Sequence, residues 1–243
     1  MEIKIQTSEE LNRLLDELAK EIVRAHIHYR LLCDLVKAKP AHEKQFLYFN
    51  TFWTLTLDAH RLAYQTHLCR VYDQEFASLN LVNLLHTIKA NLHLFSEDNF
   101  RKRLKGNAFV DSLAKTTRIP SIDEVERDVE LVTCKNSTVK KLTIWRGNIV
   151  AHRGAKVALG KDQILKDNPL SDKEIMVLLE RSLTLFNKYS GLYNASTQSS
   201  GIIGHDDYEQ LLKFIGLGIK KRDDDIAKEM AEMEMRIKKA ENK

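Results

Sequence analysis

At 243 residues, 43% hydrophobic and 30% charged, the chain is long enough to bury a core without disulfides and fits one large helical domain, or one domain with an appendage. Only nine glycines and three prolines occur, which excludes a β-rich fold built on many tight turns. The net charge of +4 neither demands nor opposes a nucleic-acid partner.

The three cysteines, Cys33, Cys69 and Cys134, have no metal-ligand spacing and read as small core residues in a reducing compartment. Charged and polar residues interrupt every apolar run before it reaches membrane-spanning length. The start, Met1-Glu2-Ile3-Lys4, lacks the basic and apolar segments of a signal peptide. A soluble, cytoplasmic protein with no membrane partner is expected.

Thr7 and Glu10 have the spacing of a capping box, and Leu11, Leu14, Leu15, Leu18, Ile22, Ala25, Tyr29 and Leu32 recur at helical spacing until Pro40 ends the run. A second long helix is predicted over about 43–72. Its first half, with Phe46, Phe49, Phe52, Trp53, Leu55 and Leu57, is apolar enough to predict a central position. Its second half carries Asp58, His60, Arg61, His67, Arg70 and Asp73. Ser78 is the predicted cap of a third helix, and Ser96 starts a short one ending in the basic cluster 101–105, read as solvated.

Ser121 and Glu124 form another capping-box pattern, Asn136-Ser137 a break, and Val139, Leu142 and Trp145 an apolar stripe. The loop with Gly154, Gly160 and Pro169 is longer than an ordinary connector. Ser171 and Glu174 open a further helix, residues 194–204 read as a flexible linker, and a short helix is predicted over about 206–215. In the charged tail Ile226, Met230, Met233 and Ile237 repeat at coiled-coil spacing. The expected organisation is a helical domain over 1–216 and a charged helical tail over 217–243.

The segment of chemical interest is Trp145-Arg146-Gly147-Asn148-Ile149-Val150-Ala151-His152-Arg153-Gly154. It couples a permanent cation with a side chain that exchanges protons near neutral pH. Arginine can hold a phosphate while histidine moves a proton. On an ideal helix Arg146 and His152 differ in direction by roughly 240°, so they share a site only where the helix is broken near Gly147. Asn148 and His152, at i and i+4, share a face. The plain alternative is an arginine at a helix end and a partly exposed histidine.

Lys140, Lys141, Arg153 and Lys156 bracket the segment and could hold flanking phosphates, or form a solvated face. His60 and His67 lie one heptad apart, but no Glu-x-x-His pair stands on a partner helix, so no metal site is assigned. No P-loop, dinucleotide fingerprint or nucleophile elbow occurs, and no cofactor is called for.

An arginine, a short spacer and a histidine after a run of amphipathic helices resemble the motif of the HEPN superfamily, and in particular its AbiU-like abortive-infection branch. There the segment reads aromatic-Arg-Asp-Lys-x-x-Ala-His; here it is Trp145-Arg146-Gly147-Asn148-Ile149-Val150-Ala151-His152. Leu68-Cys69-Arg70-Val71-Tyr72-Asp73 resembles the branch's Leu-x-Arg-aromatic-Asp run, and Asp206-Asp207-Tyr208 with Leu211-Leu212 its closing helix. The likeness covers most of residues 10–216. Gly147 departs from it, standing where many HEPN nucleases carry a polar side chain.

The resemblance implies an all-α HEPN-type bundle and a metal-independent endoribonuclease, a toxin or effector of prokaryotic antiphage defence. Arg146 and His152 would be catalytic, with Asn148, Arg70 and Asp73 in support. Attack by the ribose 2′-hydroxyl would leave a 2′,3′-cyclic phosphate. It further implies a homodimer with a composite active site, RNA as substrate, and room for an inhibitory or sensor partner protein. The alternative kept beside it is a non-catalytic helical interaction or nucleotide-binding module of a defence system.

Overall fold

The computed structural model describes residues 3–150, 155–160, 163–201 and 204–241. Every regular element among them is helical, and the fold is all-α. In chain order the helices are α1 (Ser8–Ala38), α2 (Glu43–Tyr48), α3 (Asn50–Val71), α4 (Leu81–Ala90), α5 (Glu97–Arg103) and α6 (Val110–Leu113), then α7 (Ile122–Val132), α8 (Ser137–Trp145), α9 (Ala155–Ala158), α10 (Ile164–Asp167), α11 (Asp172–Asn194) and α12 (Asp207–Glu241). A π-helical turn, Arg146–Val150, follows α8 directly. Among the described residues no helix is long and apolar enough to cross a membrane.

The chain divides into two compact units, Met1–Tyr29 with Arg61–Ser200 and Arg30–His60 with Gly201–Lys243. In the first, α1 opens with the expected box: Glu10 N–H donates to Thr7 Oγ1, while the Glu10 carboxylate accepts from the N–H groups of Gln6 and Thr7. Leu11, Leu15, Leu18, Ile22 and Ala25 of α1 are buried. Each large aliphatic side chain so placed contributes about 1.5–3 kcal/mol relative to exposure. Ser121 caps α7 and Ser171 closes a full capping box on α11. The cap of α4 is Asn80, not Ser78: Asn80 accepts from Asn83 N–H, and Ser78 turns its hydroxyl to Asp73 and the Glu75 carbonyl.

The basic cluster 101–105 is only partly solvated. Arg101 pairs with Glu97 and Asp111, but Arg103 lies over the Tyr193 ring and donates to the carbonyls of Leu94 and Tyr193. Buried Arg118 stacks on Phe100 and donates to the carbonyls of Leu113, Gly191 and Leu192. Two guanidinium groups thus donate to the last-turn carbonyls of α11, of which Gly191 also accepts from Ala195 N–H. Of the cysteines only Cys69 is buried; Cys33 and Cys134 are exposed, Cys134 in the turn between α7 and α8.

The second unit has its own core, Leu35, Phe46, Trp53 and Leu212, flanked by Leu31, Ala38, Leu57, Tyr208 and Ile215. The predicted single helix over 43–72 breaks at Phe49 into α2 and α3. Its first half is not central throughout. Phe46, Trp53 and Leu57 turn inward, whereas Phe52 and Leu55 are 56% and 64% exposed. The short helix predicted over 206–215 is the start of α12, which runs unbroken through Gly216 and Gly218 to Glu241. Lys44 of α2 pairs with Asp223 of α12 at 2.5 Å.

Candidate functional site

The site is built where α3 ends. Tyr72 is buried and donates its hydroxyl to the Leu178 carbonyl at 2.7 Å, which pins the chain as it leaves the helix. The next residue, Asp73, folds back on the backbone ahead of it. Its Oδ1 accepts from the N–H groups of Gln74 (2.8 Å) and Glu75 (3.2 Å), and its Oδ2 accepts from the Ser78 hydroxyl (3.3 Å). An aspartate that bonds the N–H two residues on is an Asx-type turn. The carboxylate is thereby oriented before any cation reaches it.

The cation that reaches it is Arg146. Nη1 stands 2.9 Å from Asp73 Oδ1 and Nη2 donates to Oδ2 at 3.0 Å, a two-pronged pair with side-chain exposures of 39% for Arg146 and 9% for Asp73. Arg146 begins the π-helical turn that follows α8 directly. Trp145 anchors the preceding turn by donating its indole N–H to the Asn168 carbonyl at 2.9 Å. Asn148 donates its amide to the Ile144 carbonyl at 2.9 Å, which leaves its Oδ1 as an acceptor. A Cβ added at Gly147 would meet nothing within 4 Å.

Beside the pair lies Cys69, whose thiol is pushed up to about 12 by burial, against a smaller downward pull from Arg146 and an upward one from Asp73. It is a packed, protonated thiol at neutral pH and not a nucleophile.

The other residues singled out in the sequence are placed as follows. Arg70 is largely exposed and stands 3.5 Å from Glu21 of α1; Glu21 also accepts His67 Nδ1 at 2.8 Å, and His67 stacks on His28. Successive positions 69 and 70 point about 100° apart on a helix, so Arg70 belongs to the α1 side and the structure brings Asp73, not Arg70, to Arg146. Lys141 pairs with Glu174 of α11 at 2.7 Å. Glu174 is held down to about 2 by the Lys141 ammonium first and by the Ser171 N–H and hydroxyl next. Lys140 and Lys156 are exposed. His152 and Arg153 lie outside the described residues. Among the described residues no group of three His, Cys, Asp or Glu side chains could hold a metal ion.

Glu75 was not singled out from sequence, and Ser78 and Glu174 were read there only as helix-capping residues. The Asp-x-Glu-x-x-Ser pattern of 73–78 was the available signal for the first two. Nothing local signals Lys141 with Glu174, which are 33 residues apart.

A HEPN family model described as AbiU2 matches residues 8–214. No curated protein and no solved structure matches the chain.

Proposed function

The chain belongs to the AbiU2 family of HEPN proteins, and from that membership we propose that it is an RNA-cleaving effector of antiphage abortive infection. The observation that carries the reading is the Asp73–Arg146 pair. It fixes one face of a guanidinium and leaves further N–H donors of the same group for an anion. The group is at once rigidly held and partly exposed, which suits contact with an RNA phosphodiester.

The chemistry follows from the two side chains. The 2′-hydroxyl of the nucleotide 5′ to the scissile bond attacks phosphorus while His152 takes its proton. Arg146 stabilises the charge that builds on the non-bridging oxygens. The bond to the 5′-oxygen breaks, and that oxygen receives a proton from a second acid, the His152 of another copy in a composite site. The products are a 2′,3′-cyclic phosphate and a 5′-hydroxyl. DNA lacks the attacking oxygen and is not cut by this route. Lys140, Lys156 and Arg153 are candidate holders of flanking phosphates; Lys141 is engaged with Glu174 and contributes less.

One observation favours the rival reading of a non-catalytic interaction module: Gly147 offers no side chain and Asn148 spends its amide on the Ile144 carbonyl. The same experiment separates the two. RNA incubated with the protein in chelator is sequenced at its cut ends. Cyclic-phosphate ends with wild type, lost with His152→Ala and Arg146→Ala, are expected. Equal cutting by those variants, or none by wild type, removes the assignment.

A further inference from the structure

The apolar stripe of α12 does not stop where its burial does. Leu212 and Ile219 are buried, and at the same heptad position follow Ile226 and Met233. The alternate seam positions are Gly216, Asp223, Met230 and Ile237. Asp223 is paired with Lys44. Beyond it the seam is open: Ile226, Met230, Met233 and Ile237 are 45%, 61%, 65% and 52% exposed. A helix with one side buried for two heptads and the same side bare for the next two presents half of a coiled coil.

We infer that this open seam pairs antiparallel with the same seam of a second copy of the chain. The charges beside the seam select both occupant and direction. Glu229 and Arg236 take the same flanking position one heptad apart, and Ala227 and Glu234 take the other. In an antiparallel pair like positions face each other. With Met230 opposite Met233 of the second copy and Ile226 opposite Ile237 of the second copy, all four apolar residues meet an apolar partner. Glu229 then faces Arg236 of the second copy, twice over by symmetry. A parallel, in-register pair sets Glu229 against Glu234 of the second copy instead, a like-charge contact. Identical antiparallel helices are related by a two-fold axis, so the pairing closes at two copies. The inference is independent of any ribonuclease activity.

Disulfide trapping in the full chain tests it, with exposed Cys33 and Cys134 replaced by serine. Met230→Cys and Met233→Cys proteins are oxidised separately and as a mixture. The mixture is expected to give a covalent dimer joining the two variants, and neither protein alone. Glu229→Arg added to both proteins slows the reaction, and Arg236→Glu added on top restores it. Dimer from Met230→Cys alone, as fast as from the mixture, means parallel strands and overturns the inference. No adduct in any combination, as when a different protein or nothing covers the seam, overturns it too, as does indifference to Glu229→Arg.

Discussion

A guanidinium carries five N–H donors, and Asp73 takes one from each Nη of Arg146. On the proposed ribonuclease reading, what remains serves the substrate only while the aspartate keeps the fork from turning, and Asp73 is a positioning residue. Asp73→Asn removes the charge and half of the fork's acceptor pair but keeps the shape. RNA cleavage per folded molecule is expected to fall about ten- to hundredfold in kcat, with a smaller change in KM. A thermal melt run beside the kinetics checks that loss of fold is not the cause. Arg146→Lys keeps a charge but cannot make the two-pronged contact, and a loss on the order of a hundredfold is expected. Gly147 gives a test in the other direction. Its backbone is not in the left-handed region and a side chain there meets open space, so Gly147→Asp is expected to fold normally. If the polar side chain common in HEPN nucleases assists the reaction, the same substitution raises the cleavage rate.

At the scale of the element, both ends of α11 are tied down by polar side chains. Its start is tied down by Ser171, Glu174 and Lys141, its end by Arg103 and Arg118. Glu174 has its carboxyl held down to about 2 from an ordinary 4.5, so its contribution is fully present above about pH 4.5 and is lost as pH falls toward 2. Wild type should therefore lose stability across that window more steeply than Glu174→Gln, as read by chemical denaturation at a series of pH values. At the other end Ala195 sits in the left-handed region at φ 55. A side chain there costs about 1–2 kcal/mol, and glycine's greater unfolded freedom returns about 0.5–1. Ala195→Gly is expected to stabilise by on the order of 0.5 kcal/mol, a shift a urea titration resolves. The start of α11 was legible because a capping box is local, four residues wide. Its closure by Arg118 was not: Arg118 and Gly191 are 73 positions apart, and no spacing rule joins an arginine to a distant carbonyl.

For the whole molecule, the all-α class was legible from composition and period alone, and the family from the motif that Arg146 opens. What the sequence did not yield is which apolar residues turn inward. Phe46, Phe49, Phe52, Trp53, Leu55 and Leu57 look alike in a hydropathy count, yet Phe46, Trp53 and Leu57 enter a core while Phe52 and Leu55 stay exposed. Glycine misled in the opposite sense. Gly216 and Gly218 suggest an end, but each costs a helix only about 1 kcal/mol, and a Cβ at Gly216 would stand 2.9 Å from Gln45 Nε2, so glycine there admits a close approach of α12 to α2. The division into units makes this testable. Trp53 is 3% exposed, stacks on Phe46 and donates its indole N–H to the Gln45 carbonyl. Trp53→Ala therefore removes the largest side chain of a small core, with an expected cost of about 3–5 kcal/mol. Hydrogen exchange should show protection lost first in α2 and the early turns of α12, with Leu11–Leu18 of α1 still slow, because those leucines sit in the other core. Leu55→Ser, two residues away and exposed, should leave exchange unchanged. Equal loss of protection in both units with Trp53→Ala would mean that they share one cooperative core.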